Sequence, residues 1–125
     1  MENGINICAY NYRGYGLSEG TPSIDKLRVD AETVALYVRQ RVGQTAKVGA
    51  HGTSIGGAVA TYLARRGYVD FLFADRTFCA LDEVAKYTLG NWAKYGLRFL
   101  TGWWNTDLTR DFIFASCYKV LSQDA

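Results

Sequence analysis

The amino-acid sequence predicts an α/β protein with a doubly wound, mostly parallel sheet between two layers of helices. Short apolar segments alternate along the chain with segments of helical periodicity, the order produced when helical crossovers join parallel strands. These apolar segments lack strict alternation, as expected of strands that are covered on both faces. A glycine-rich turn joins the second apolar segment directly to a helix. Together the three observations favour an open α/β sheet.

The first half of the chain contains one predicted strand and one long predicted helix. Residues 5–10 form the strand, which ends at a glycine-rich turn. The helix begins near Ser23, a suitable N-cap, and Asp25 lies in its first turn. Apolar side chains then follow helical spacing as far as Gly43, a suitable residue for the position after a helix.

Three more strands are predicted in the second half, at residues 46–50, 69–74 and 117–122. The helix after the second strand stops at Gly67, and residues 81–101 indicate two short helices. A four-stranded sheet made only of these elements has raw edges, which proteins normally pair or cover. We therefore expect the chain to be the middle of a larger domain, with its edges covered by the rest of that domain or by a partner chain.

Composition restricts the classes of function. The chain has 125 residues, 49% of them hydrophobic, and 14 basic against 12 acidic residues. Scattered charges give no basic stripe for nucleic acid. No apolar run approaches the ~18–20 residues of a membrane span, and no signal-peptide core is present. The three cysteines Cys8, Cys79 and Cys117 are too widely spaced for a disulfide framework and predict reduced thiols in an intracellular protein.

Residues 52–56 read GTSIG and fit G-x-S-x-G, the nucleophile elbow between a strand and a helix. In such a turn Ser54 adopts strained backbone angles, which the neighbouring glycines permit. The following helix N-terminus favours a developing negative charge near the hydroxyl. A glycine-rich turn without chemistry is the alternative. A phosphate-binding loop is not favoured, because the motif lacks Gly-Lys-Ser/Thr and does not fit G-x-G-x-x-G.

Three segments resemble the α/β-hydrolase superfamily. Residues 11–22, NYRGYGLSEGTP, are similar to the turn after the family's fourth strand, with Asn11 in place of the usual aspartate. Residues 51–60 resemble its nucleophile region, and residues 73–78 the segment after its sixth strand. These motifs map the chain onto strands four to seven of eight. The resemblance is strongest to a branch of serine acyl hydrolases that includes membrane-associated depalmitoylases and lipase-like enzymes.

The resemblance implies hydrolysis of carboxylic esters or thioesters, including those of lipidated substrates, at a membrane surface or in the cytoplasm. It makes Ser54 the nucleophile and the backbone N–H of Ile55 one half of the oxyanion hole. The other half would lie before Met1, and the acid and histidine of the triad would lie beyond this chain. Neither a metal nor an organic cofactor is implied.

Three further residues are candidates for a role near the site. His51, the single histidine, lies in the strand before the turn, which directs Ser54 away from it; we expect a packed, structural role. Asp124 is either the triad acid or a turn residue. Asp75 follows a strand at the correct end of the sheet, where it either supports the site or forms a salt bridge with Arg76 or a turn cap.

Residues 81–116 are expected to form a helical insertion. It carries an aromatic stripe at helical spacing, which is either a face packed on the sheet or a lid over an acyl pocket. The stripe comprises Trp92, Tyr95, Phe99 and Trp103, with Trp104 beside it. A rival interpretation of the whole chain is a natural short product, catalytically incompetent, that serves as a structural or interaction subunit.

Overall fold

A computed structural model describes residues 4–77 and 108–123 of the chain. In this part, helices and strands alternate in the order helix, strand, helix, strand, helix, strand. The helices are α1 (Ile24–Val42), α2 (Ile55–Arg65) and α3 (Leu108–Phe114); the strands are β1 (Gly49–Thr53), β2 (Phe71–Asp75) and β3 (Tyr118–Ser122). Helix α3 was not predicted individually, although it lies within the range expected for the helical insertion.

The three strands form one parallel sheet in the order β1-β2-β3. In the register of this sheet, Thr53 lies opposite Asp75, and Asp75 lies opposite Ser122. All three strands therefore end in the same row, at the carboxyl edge of the sheet. The α/β class with a parallel sheet is confirmed, and the sheet is open and incomplete, as expected.

The prediction of a strand at residues 5–10 is wrong. The described residues 4–10 are irregular and exposed, and no β-ladder within residues 4–77 and 108–123 includes them. An apolar segment becomes a strand only where a neighbouring backbone pairs with its N–H and C=O groups. The apolar sequence pattern of residues 5–10 was therefore not sufficient by itself to predict a strand.

The second strand begins three residues later than predicted, because the backbone of Val48 is used by the loop before β2. The N–H of Asp70 donates to the Val48 carbonyl at 2.7 Å, and the Val48 N–H donates to the Asp70 carboxylate at 3.0 Å. Arg39 and Lys47 also donate to this carboxylate, at 3.1 and 3.2 Å. The hydrogen bond from Val48, followed by those from the two cations, lowers the pKa of Asp70 to about 2. Asp70 thus connects the segment before β2 to the segment before β1 and to α1, at the amino edge of the sheet.

The predicted caps of the first helix are confirmed. The Ser23 hydroxyl accepts a hydrogen bond from the Lys26 N–H at 3.4 Å. At the other end Gly43 has φ 83°, and its N–H donates to the Arg39 carbonyl at 3.0 Å. A side chain is disfavoured at this backbone angle, which explains why glycine ends the helix.

One hydrophobic core lies between the sheet and the helices. Leu27 of α1, Val59 of α2 and Leu72 of β2 are almost completely buried, and each such side chain contributes about 1.5–3 kcal/mol. The buried members of this core are Ile24, Leu27, Ala31, Ala35, Val59, Ala60, Leu63, Ala64, Val69, Leu72, Ala74 and Ala115. The helices predicted at residues 81–101 and the aromatic stripe lie outside the described residues.

The opposite face of the sheet is apolar and exposed. Phe71 and Tyr118 stack with ring centroids 5.7 Å apart, and 79% of Tyr118 is accessible to solvent. Phe73 and Val120, one step further along the strands, are 41% and 52% exposed. Large contiguous apolar surfaces of this kind normally contact other protein.

We expect the isolated 125-residue chain to self-associate, because this apolar face and the open edges of the sheet are accessible. Size-exclusion chromatography with light scattering should give a mass above that of the monomer or visible aggregation. The same residues within the full-length protein are the control and should not aggregate. A monomeric preparation that unfolds cooperatively would show that the exposed face does not need a cover.

Candidate active site

Ser54 connects β1 to α2 with a backbone conformation that is unusual for a residue with a side chain. Its φ is 56° and its ψ is −120°, which lies outside the right-handed and left-handed helical regions. Such a conformation costs about 1–3 kcal/mol and persists only where the surrounding structure enforces it. Ser54 is the N-cap of α2, but its hydroxyl makes no capping hydrogen bond, and the residue is exposed. The hydroxyl is therefore not committed to stabilising the helix.

Two glycines make this turn sterically feasible, and only one of them belongs to the G-x-S-x-G motif. A Cβ atom at Gly52 would overlap the carbonyl group of Gly56, because strand and helix backbones meet there. A Cβ atom at Gly57 would overlap the buried side chain of Thr77. A Cβ atom at Gly56, the last glycine of G-x-S-x-G, would meet nothing within 4 Å. The close approach therefore depends on Gly52 and Gly57.

The segment after β2 holds the turn from the side. The Asp75 carbonyl accepts the N–H of Ser54 at 3.0 Å and the hydroxyl of Thr77 at 3.1 Å. Arg76, which lies between Asp75 and Thr77 in the sequence, has φ 45° and donates its N–H to the Ser122 carbonyl at 2.8 Å. Residues 75–77 therefore join the end of β3 to the start of α2.

The Asp75 carboxylate lies at the same edge and is 17% exposed. It accepts hydrogen bonds from the Arg76 Nε at 3.1 Å and the Thr53 hydroxyl at 3.4 Å. Desolvation raises the pKa of Asp75, but the hydrogen bonds from Arg76, Ser122 and Thr53 and the charge of Arg76 outweigh it, so the pKa is lowered. The salt bridge with Arg76 that the sequence suggested is present, together with contacts to the two neighbouring strands.

Ile55, the predicted oxyanion donor, is the first residue of α2. Amides in the first turn of a helix have no acceptor within the helix, so they can bind an anion at the helix N-terminus. The first turn of α2 contains no acidic side chain that would neutralise this positive end. The local structure is therefore compatible with stabilising a negative charge near Ser54.

His51 differs from the expectation that it is packed. Its side chain is exposed on the sheet face opposite the core, where its ring meets that of Phe73 edge to face at a centroid distance of 5.0 Å. The strand pleat explains this, because His51 shares a face with Thr53 while Gly52 faces the helix. Asp124, the other candidate acid, lies outside the described residues.

One cleft among the described residues lies away from this edge. This cleft, of about 260 Å³, lies at the opposite, amino edge of the sheet, lined in part by Lys47, Asp70 and Cys117. Within residues 4–77 and 108–123, no group of three His, Cys, Asp or Glu residues could hold a metal ion. Two contacts of the segment after β2 with the turn were not predicted from the sequence: the hydrogen bond from the Ser54 N–H to the Asp75 carbonyl, and the close approach of Thr77 to Gly57. The parallel register, which brings strand ends together, was the signal that could have revealed them.

Comparison with known proteins assigns the chain to a family. Residues 2–111 match the family described as the alpha/beta hydrolase fold, and the chain belongs to this family. It represents part of such a domain, in agreement with its incomplete sheet.

Several known proteins are similar to this chain over part of their own length. The chain is 36% identical over 87 residues to the uncharacterized membrane protein YNL320W of Saccharomyces cerevisiae, covering 67% of this chain and 31% of the relative. It is 30% identical over 105 residues to protein bem46 of Schizosaccharomyces pombe, covering 82% and 35%. It is 38% identical over 88 residues to the lysophosphatidylserine lipase ABHD12 of Danio rerio, covering 66% and 23%. The chain thus spans about a third or less of each. No solved structure matched significantly.

The helices of the described ranges are α1, α2 and α3. None of these three combines the length and the apolar character that crossing a membrane requires.

Proposed function

We propose that the domain containing this chain is a serine hydrolase of carboxylic esters or thioesters, with Ser54 as its nucleophile. The observation that carries the proposal is the backbone of Ser54, with φ 56° and ψ −120° between a parallel strand and a helix. Strained residues held by their surroundings cluster at active sites. The exposed hydroxyl, free of a capping role, matches what a nucleophile elbow requires.

The reaction follows from this geometry. The Ser54 Oγ attacks the carbonyl carbon of the ester or thioester, and its proton passes to a base. The carbonyl oxygen becomes an oxyanion at the N-terminus of α2, where the N–H of Ile55 donates to it. Collapse of the intermediate breaks the bond to the alcohol or thiol, which leaves with a proton and yields an acyl-serine. Attack by water then releases the carboxylic acid and restores the Ser54 hydroxyl.

The base and its acidic partner are assigned to sequence beyond this chain. The 125 residues contain a single histidine, His51, and it lies on the sheet face opposite the core. Without a base, a serine hydroxyl remains protonated and weakly nucleophilic near neutral pH. The 125-residue chain alone should therefore be inactive.

The substrate class and the place of action are the broader part of the proposal. One relative is named a lysophosphatidylserine lipase, and another is named a membrane protein. The first name favours an ester with an apolar acyl chain as the substrate, and the second favours a membrane surface as the place of action. Thioester substrates and the cytoplasm are included in the proposal as well. The open apolar side of the sheet would be covered by the rest of the domain.

An alkyl fluorophosphonate probe tests the assignment of Ser54. The full-length protein should be labelled at Ser54, as identified by mass spectrometry, because the probe reacts with activated serine hydroxyls. The same protein in concentrated urea is the control. It should not be labelled at Ser54, since both the turn and the base require the folded state. Labelling of other serines alone would contradict the proposal.

A hydrolase-like structural or interaction subunit is the second candidate. The observation that favours it is the position of His51, which leaves Ser54 without a histidine from this chain. Under this alternative the full-length protein folds normally, but no serine reacts with the probe and no ester is hydrolysed.

A further inference from the structure

Asp75 accepts hydrogen bonds from both Thr53 and Ser54, the two residues at the turn that ends β1. Its backbone carbonyl accepts the Ser54 N–H at 3.0 Å, and its carboxylate accepts the Thr53 hydroxyl at 3.4 Å. The first contact requires only the main chain, which any residue supplies. The second is specific to the side chains of Thr53 and Asp75.

The same carboxylate reaches across to the third strand. Asp75 lies between Thr53 and Ser122 in the register of the sheet, and a hydrogen bond from the Ser122 side chain contributes to its lowered pKa. With 17% of its side chain exposed, the carboxylate is largely shielded from water. One ionised group therefore lies in the row of the three strand ends, beside Ser54.

We propose that the Asp75 carboxylate is a positioning residue for the Ser54 nucleophile, acting through the Thr53 hydroxyl to hold the strained turn in place. This inference rests on the function proposed above for Ser54. A strained conformation persists only if its neighbours restrain it, and Thr53 is the residue immediately before it. A displacement of a reacting atom by about 1 Å can cost about 100-fold in rate.

A purely structural ion pair is the competing explanation. Arg76 is 56% exposed, and surface ion pairs contribute little to stability. Such a pair would change stability slightly and leave the chemistry unchanged. The hydrogen bond from the Thr53 hydroxyl to the Asp75 carboxylate is what the positioning role requires in addition.

A double-mutant cycle in the full-length protein separates the two explanations. Asp75→Ala and Thr53→Val should each lower kcat for a short-chain p-nitrophenyl ester by about 10-fold, with KM changed less than about twofold. The rate of fluorophosphonate labelling at Ser54 should fall in parallel. The double variant should lose no more than either single variant, because both remove the same interaction. Thr53→Ser keeps the hydroxyl and should retain the activity.

Asp70→Ala is the matched control, because Asp70 flanks the other end of β2 and is bonded to a backbone N–H and two cations. It should lower the melting temperature without lowering kcat. If Asp75→Ala folds poorly, Thr53→Val against Thr53→Ser gives the same comparison. Equal activity of these two, or losses that multiply in the double variant, would overturn the inference. Full activity of Ser54→Ala would instead overturn the proposed function.

Discussion

Replacing Ser54 by alanine in the full-length protein is expected to lower kcat for a short-chain p-nitrophenyl ester by about 10⁴- to 10⁶-fold. The nucleophile, base and acid of a triad act as one unit, so loss of the nucleophile removes nearly all of their contribution. The residual rate comes from substrate binding and the oxyanion donor, which alanine leaves unchanged. Steady-state kinetics, with circular dichroism to verify folding, measures the effect.

Ser116→Ala is the control for this experiment. Ser116 is an exposed serine between α3 and β3, at the amino edge of the sheet. Its replacement removes the same hydroxyl group from the protein surface and should leave kcat unchanged. An alanine variant of Ser54 that still hydrolyses the ester at the wild-type rate would exclude this serine as the nucleophile.

Alanine at Gly52 or Gly57 is expected to destabilise the protein by about 3 kcal/mol or more. At Gly52 the new Cβ atom would overlap the backbone at Gly56, which cannot move without displacing the start of α2. At Gly57 it would overlap Thr77, a side chain that is 4% exposed and cannot rotate into solvent. Urea unfolding of the full-length protein should show the loss.

Gly56→Ala tests whether a glycine is required because of steric crowding or because it belongs to the G-x-S-x-G motif. Gly56 belongs to α2, and its Cβ atom would meet open space. Alanine is the better helix former, so the free energy of unfolding should stay the same or rise by up to about 1 kcal/mol. Equal destabilisation at Gly56 and Gly57 would mean that the crowding around the turn is different from that described.

Most regular elements could be predicted from the sequence because their signals are local. Ser23 and Gly43 define the ends of α1 through caps that depend on a few neighbouring residues. The failure at residues 5–10 has the opposite cause, since strand formation depends on a partner elsewhere in the domain. The late start of β1 likewise reflects a distant contact, between Val48 and Asp70.

For the candidate site, too, the sequence predicted the local features but not the contacts between distant residues. The motif located Ser54 and the start of α2, because strand, turn and helix are adjacent in sequence. The motif could not show that Gly57, rather than Gly56, is the crowded glycine, since the obstructing residue is Thr77, 20 positions further along. The exposure of His51 also depended on which face of the sheet remained open.

The contacts that support the Ser54 turn have a consequence for folding during synthesis of the protein. Residues 75–77 support Ser54, and they in turn bond to Ser122 and to Gln123, whose side chain donates to the Thr77 carbonyl at 3.0 Å. A ribosome must therefore synthesise nearly 70 residues beyond Ser54 before the last of these supports exists. Until then the set of contacts that supports the strained serine is incomplete. In the growing polypeptide, Ser54 should consequently hold its strained conformation stably only after β3 has docked.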